Sequence, residues 1–376
     1  MTKSMGMRMI AGVVAAALGS ACGSKATEEP AGTAGAAGSA GSGGAAGAGG
    51  GAGAPAGCGD CEIANLDGEC VPRLPDCAYD GPYIGWYGDD PGVFDPVDSA
   101  RGVYLDGGKW EVPAGSERTQ CTYVLLDQEI VLGRYEARMN PHSHHFNMLR
   151  YDPALLEAQG VQYGVPRDCV LGGLPYYVAG SEWQYVDAPL PAGLGVRIPA
   201  GVVLELQSHY INTTSAPLEG RVEVNLYSRK PAEVEHYAGV YFNIMKAFSV
   251  DPGSTARWKA RCPATDGTSV VMLTSHNHRF GQRFTIDLYD DGAATTTPLY
   301  ESAVYDHPLI QQRAFDPLVI GPQQGFEWSC EFENSTTSSV KEGEMGLTDE
   351  MCIMIAYYYD EIPDLPFCLK NGELVP

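Results

Sequence analysis

From about residue 80 onward the chain returns again and again to a period of two, which restricts it to strands. In Phe284-Thr285-Ile286-Asp287-Leu288 apolar and polar residues alternate, the pattern of a strand with one buried face. The segments Tyr123–Leu126, Glu129–Met139, Val202–Ile211, Arg221–Tyr227, Val240–Phe248, Ser269–His276, Arg283–Tyr289 and Met351–Tyr359 are rich in Val, Ile, Tyr, Phe and Thr. Asp290-Asp291-Gly292 and Ile320-Gly321-Pro322 punctuate them as turns. Only Pro153–Gln159 reads as helical, and only as a short turn. So many short strands over about 300 residues predict an all-β chain of two β-sandwiches. The stretch Ser228–Glu235, with its Arg-Lys-Pro, is the expected boundary between them.

The start of the chain cannot supply core. Between Ala31 and Gly57, 12 Gly and 11 Ala fill 27 residues, and such a stretch gains too little burial to offset its ordering entropy. Residues 22–57 therefore read as a disordered, Gly/Ala-rich tether. Ahead of it stand Lys3 and Arg8, the apolar run from Met9 to Leu18, and the small residues Gly19-Ser20-Ala21. That is the layout of a secretory signal over residues 1–21, and its apolar run is too short to span a bilayer. Leu18-Gly19-Ser20-Ala21-Cys22 resembles a bacterial lipoprotein processing box, in which Cys22 becomes the lipidated amino terminus. The expectation is an exported bacterial lipoprotein, periplasmic or at the cell surface, that meets the membrane only through that lipid.

Export accounts for 11 cysteines, a number out of place in an ordinary cytosolic protein. A formal net charge of -23 with only 24 Lys+Arg leaves no electrostatic footprint for a nucleic-acid backbone. Setting Cys22 aside leaves ten of the 11 cysteines, an even number suited to disulfides. Cys58, Cys61, Cys70 and Cys77 form a Cys-rich segment at 58–77, whose spacing fits no common zinc pattern and favours two local disulfides. Cys121, Cys169, Cys262, Cys330, Cys352 and Cys368 lie far apart among strand-like segments, and spacing alone does not give their pairing.

The chemistry lies in eight histidines. Three fall in Pro141-His142-Ser143-His144-His145-Phe146, two in His276-Asn277-His278, and His209 closes Leu204-Glu205-Leu206-Gln207-Ser208-His209; His236 and His307 stand alone. Imidazole is a favoured ligand for copper, zinc, iron and nickel. On a strand His276 and His278 share a face and can share an ion. His144 and His145 would point to opposite faces unless the strand breaks or bulges, and His142 with His144 would be the natural same-face pair. An isolated H-x-H is commonly an exposed strand pair, but three such groupings in one exported β chain favour metal.

In this order the residues resemble the copper type II, ascorbate-dependent monooxygenases, the family of peptidylglycine α-hydroxylating monooxygenase and dopamine β-monooxygenase. The resemblance runs over roughly residues 100–370. It rests on His144-His145-Phe146-Asn147-Met148-Leu149, Leu206-Gln207-Ser208-His209-Tyr210, His276-Asn277-His278 and Asp349-Glu350-Met351-Cys352. It implies two tandem jelly-roll-like β-sandwiches, over 78–230 and 231–376, and two copper ions. His144, His145 and His209 would hold the electron-transfer copper. His276, His278 and Met351 would hold the copper that activates oxygen and would form the catalytic set. Ascorbate or another donor supplies electrons. Gln207, beside His209, would support the first site, and His142 falls to the surroundings or the surface. The disulfides implied are Cys121–Cys169, Cys330–Cys352 and Cys262–Cys368.

The sequence departs from the peptide-amidating branch where that branch anchors a substrate carboxylate. Thr274, Ile353 and Ile355 stand where it carries an arginine, an asparagine and a tyrosine. A buried carboxylate would find neither cation nor fixed donor there, so the expected small-molecule substrate is apolar or neutral. Two other functions fit these residues less well. One is a copper-binding or copper-storage surface lipoprotein without catalysis, and the other is a carbohydrate-binding or adhesive β-sandwich with incidental histidines.

Overall fold

Alternating residues become strands along the whole body of the computed structural model, which describes residues 94–170, 176–305, 308–313 and 316–359. Short strands at 27–28, 62–64, 70–72 and 85–86 are described as well. Strand takes up 59% and helix 4%, so the chain is all-β. The signal segment, Cys22, Cys58, Cys61, Cys77, His307 and Cys368 lie outside the described residues. Cys70 opens the strand Cys70–Pro72, which pairs antiparallel with Glu62–Ala64.

The longer elements are, in order, β1 (Gly102–Asp106), β2 (Ser116–Leu125), β3 (Ile130–Met139), β4 (Ser143–Tyr151), α1 (Pro153–Ala158), β5 (Tyr176–Ser181) and β6 (Tyr185–Pro189). There follow β7 (Gly193–Ile198), β8 (Val203–Asn212), β9 (Val222–Ser228), β10 (Val234–Ile244), β11 (Ser254–Pro263) and β12 (Ser269–Asn277). The last four are β13 (Gly281–Asp290), β14 (Thr295–Ser302), β15 (Gln324–Asn334) and β16 (Cys352–Tyr359). Among the described residues the one α-helix falls where the sequence placed it. Asp152 caps it by accepting from Ala154 N–H, and Pro153 opens its first turn.

Three sheets carry the structure. A four-stranded sheet runs β5-β4-β8-β2, and a five-stranded sheet runs from Thr27–Glu28 through β11-β15-β13-β14. The third has eleven strands and passes from one half of the chain to the other through β12-β16-β10-β7-β3-β6, with β9 beside β3 and β1 beside β9. Its seam is β7. Gly193, Leu194 and Gly195 pair parallel with β10, while Val196, Arg197 and Ile198 pair antiparallel with β3. Between the first-half sheets lies a core including Phe146, Met148, Leu204, Leu206, Ile130, Leu132 and Val224. Between the second-half sheets lies another, including Trp328, Phe284, Phe326, Phe332, Leu273 and Met354.

Strand β16 explains why the halves close on each other. Its run Cys-Ile-Met-Ile-Ala-Tyr-Tyr-Tyr does not alternate, as expected for a strand buried on both faces. Met354, Ala356 and Tyr358 enter the second core, while Ile353, Ile355 and Tyr357 pack with Leu194 and Val271 in a cluster between the halves. Cys330–Cys352 fastens the start of β16 to β15, and Cys121–Cys169 forms in the first half. Cys262 is disulfide-bonded too; Cys368, its expected partner, is outside the described residues.

Leu194 is the seam residue that fills the shared cluster, so truncating it leaves a void in the contact between halves. Leu194→Ala is expected to lower stability by about 2–5 kcal/mol in urea unfolding; a loss below about 1 kcal/mol would contradict this packing.

Candidate metal centre

The site forms where β4, β8 and the end of β12 meet. On β8 the side chains alternate: Leu204, Leu206 and Tyr210 face the first core, and Glu205, Gln207 and His209 face a cavity on the other side. On β4 the register slips at the histidine pair. His209 lies opposite His145 and Tyr210 opposite Ser143, so His144 is an extra residue in a β-bulge. The bulge brings both imidazoles to one side, with ring centroids 5.0 Å apart. His142, by contrast, sits exposed in the turn before β4 with φ 70°, and is not a same-face partner of His144.

His276 ends β12, and His278 begins the turn into β13. Gly281 makes this turn possible: its N–H bonds to His278 O at 3.0 Å, and a Cβ there would lie 1.9 Å from Asn277 Nδ2. The H-x-H pair thus folds back with ring centroids 5.0 Å apart.

All five histidines converge. His144 lies 5.2 Å from His209, 5.7 Å from His276 and 5.5 Å from His278 between ring centroids, and His145 lies 5.2 Å from His276. Two groups have their ring nitrogens within 4.8 Å of one another: His144, His145 and His209, and His144, His276 and His278. The resemblance implied His144, His145 and His209 as one set and His276, His278 and Met351 as the other; here the histidines of the two sets adjoin, and His144 lies within reach of both groups. Met351 lines the same cavity as His145, His209 and His276.

Four of the five rings have an outer partner. Glu182 Oε1 is 2.5 Å from His276 Nδ1, and the Asp349 carbonyl accepts from His278 Nδ1 at 3.1 Å. Both rings therefore turn Nε2 inward. Glu117 Oε1 lies 2.7 Å from His209 Nε2, while His209 Nδ1 faces His145 Nε2 at 3.1 Å. Glu117 also accepts the N–H groups of Gly346 and Leu347, so a first-half carboxylate grips a second-half loop. Gln207 acts through Asn147 rather than on His209. The Asn147 amide donates to Gln207 Oε1 at 3.0 Å and lies 3.4 Å from His145 Nδ1. Glu350, fully buried, accepts N–H groups of His278 at 2.9 Å, Phe280 at 2.6 Å and Met351 at 3.2 Å. It ties the H-x-H turn to the methionine, and burial raises its carboxyl to about 7.

The donor set fits a metal. The Nε2 atoms of His144, His276 and His278 are buried without a hydrogen-bond partner. Orphaned buried nitrogens are rare because they forfeit their hydration, and here three converge. Neutral imidazoles and a thioether suit copper, and carboxylate or carbonyl partners on the far ring nitrogens are the usual support of metal-ligating histidines. Glu117, Glu182 and Glu350 were not singled out from the sequence. Glu350 stood inside the Glu-Met-Cys motif, whereas nothing local marked Glu117 or Glu182, which act across the fold.

These observations define an all-β protein with a buried histidine cluster whose donor atoms fit a metal ion. Residues 244–374, which include His276, His278 and Met351, match the family profile described as copper type II ascorbate-dependent monooxygenase, C-terminal domain. Over these residues the resemblance read from the histidines is borne out. Among curated proteins none matches the chain. Among solved structures, the major capsid protein P2 from bacteriophage PM2 is similar at 9% identity, covering 69% of this chain and 98% of its own, with a TM-score of 0.32. The PBSX exported protein XepA is similar at 9% identity over 75% of this chain and 96% of its own, with a TM-score of 0.17. Scores this low bear on neither fold nor function.

Burial holds His144, His276 and His278 down to about 3 from the ordinary 6.5. The unfolded chain takes up protons below the ordinary value while the folded one does not. The stabilisation is therefore complete above about pH 6.5 and is lost as pH falls toward about 3. The urea midpoint of the metal-free protein is expected to fall steadily from about pH 7 to pH 5; a flat profile would contradict neutral, buried imidazoles.

Proposed function

We propose that the protein is an exported copper-dependent monooxygenase that hydroxylates a C–H bond of a small, apolar or neutral molecule, with O₂ and a reductant such as ascorbate. The observation that carries this reading is the convergence of five histidines on one centre, three of them lining the cavity and two within residues 244–374, which match the copper monooxygenase family. His144, His145 and His209 would hold the electron-transfer copper, and His276, His278 and Met351 the oxygen-activating one, with His144 placed to reach both. Bound copper would supply one-electron redox chemistry, and the thioether of Met351 would favour Cu(I). One oxygen atom enters the C–H bond and the other leaves as water, with two electrons and two protons drawn from the reductant.

The chain's own part is to fix ligands, shape the cavity and exclude water. Glu182 and the Asp349 carbonyl hold the two second-half rings, and Glu350 holds the backbone between them and Met351. The cavity, about 390 Å³, is large enough for a drug-sized molecule and mostly apolar. Thr274, Ile353 and Ile355, the three departures from the peptide-amidating branch, all line it. The Thr274 hydroxyl is already spent, donating to Leu309 O at 2.8 Å. No Lys or Arg is among its described lining residues, so an anionic substrate would find no partner.

The test is ascorbate-driven oxygen consumption measured together with product. Two coppers per chain and consumption matched by hydroxylated product are expected from a screen of small apolar molecules. His276→Ala is expected to lose one copper and at least about 100-fold in product formation. Copper binding without any coupled product would favour the storage reading instead. The signal at 1–21, lipidation at Cys22, the tether at 22–57 and the division near residue 230 belong to the same proposal. Labelled fatty acid should enter the wild type and not Cys22→Ser; equal labelling of both would refute the anchor.

A further inference from the structure

The cavity holds a group that the oxygenase reading leaves unused. Of the three cavity-facing residues on β8, His209 belongs to the histidine cluster and Gln207 is bonded to Asn147, but Glu205 does neither. It is 1% exposed, and its Oε2 is buried without a hydrogen-bond partner. The hydroxyls of Tyr123 and Tyr151 are its neighbours. Burial raises the carboxyl to about 7, and Glu344 at the cavity lining pushes the same way. A buried carboxyl with one oxygen idle is costly unless something that is not part of the chain completes it. Support of the two tyrosines would need only one oxygen, and an amide would serve as well.

Position and charge say what that something is. Glu205 and His209 are four residues apart on one extended strand, which separates their backbones by roughly 13 Å. The cavity they share is mainly apolar, with Leu149, Phe242, Ile353 and Ile355 among its lining residues. Three carboxylates, Glu182, Glu205 and Glu344, are the formally charged side chains among the described lining residues, with no Lys or Arg. Above about pH 8, where this carboxyl is ionised, a ligand reaching Glu205 must donate a hydrogen bond, and an acceptor-only or anionic end would be repelled.

We propose that Glu205 is the recognition point for an O–H or N–H donor at one end of an elongated, otherwise apolar substrate whose reacting carbon lies further along the same cavity, by His276 and Met351. This rests on the oxygenase reading for the reacting carbon, but not for the binding itself.

The experiment compares decanol, decylamine and methyl decyl ether on the full-length protein at about pH 9, where Glu205 is ionised, by calorimetry and by quenching of Trp183, which lines the cavity and is 5% exposed. The alcohol, the amine or both are expected to bind about tenfold more tightly than the ether, which accepts but cannot donate. Glu205→Leu is expected to erase that discrimination while leaving ether affinity within about twofold. Should Glu205→Leu fail to fold, Glu205→Gln carries the test and should narrow the discrimination. A preference for the amine alone assigns a cation to the subsite, and equal preference assigns a neutral donor. Equal binding of all three to the wild type, or discrimination that survives the substitutions, overturns the proposal. Donor-selective binding without coupled product under ascorbate leaves the subsite standing and overturns the oxygenase reading.

Discussion

The arrangement depends on β16, whose residues are buried on both faces. Had this strand alternated, its outer face would be wet and the two halves would meet through a polar surface. Because Ile353, Ile355 and Tyr357 must also leave water, they pack on the first half and bring Leu194 and Val271 with them. Apolar burial of this kind is worth roughly 25 cal/mol per Å², so a few large side chains outweigh any single polar contact across the seam. The histidines of the second half hang from the strand beside it: Thr274, Ser275 and His276 of β12 pair with Ile355, Met354 and Ile353. Closing the halves through β16 therefore carries His276 and His278 up against His144 and His145.

Polar contacts then set orientation where apolar contacts set proximity. Glu182 reaches from the first half to His276, and Glu117 from the first half to Gly346 and Leu347. Glu350 works within the second half, holding the turn after β12 to the residue before β16. Each is a carboxylate used as an acceptor in a nearly dry place, where such bonds are strong and misplacement is costly. Imidazoles kept neutral by burial present lone pairs rather than protons, which is the state in which they bind metal.

Much of the fold was legible because period-two patterning is local. The strands from β3, β8, β9, β12, β13 and β16 lie within one or two residues of the segments expected at their ends. Larger differences have physical reasons. β2 begins at Ser116, in a polar stretch without strand signal, because it pairs with β8 along its full length. The segment expected at Val240–Phe248 is shifted to Val234–Ile244. Its early residues pair with β7, and it leaves the sheet where Ala247 takes φ 62°. The histidines that converge were legible as candidates through family order, and the bulge that spacing required for the His144–His145 pair is present. That the two histidine groups would adjoin was not legible, nor were Glu117 and Glu182, because these depend on how distant strands close.

The central claim is that the five histidines form one copper-binding centre with His144 common to both halves. Stepwise Cu(II) titration of the metal-free protein, followed by electron paramagnetic resonance, tests it most directly. If the sets adjoin, the second equivalent changes the signal of the first. Two signals that simply add, each unaffected by the other, would contradict a shared centre.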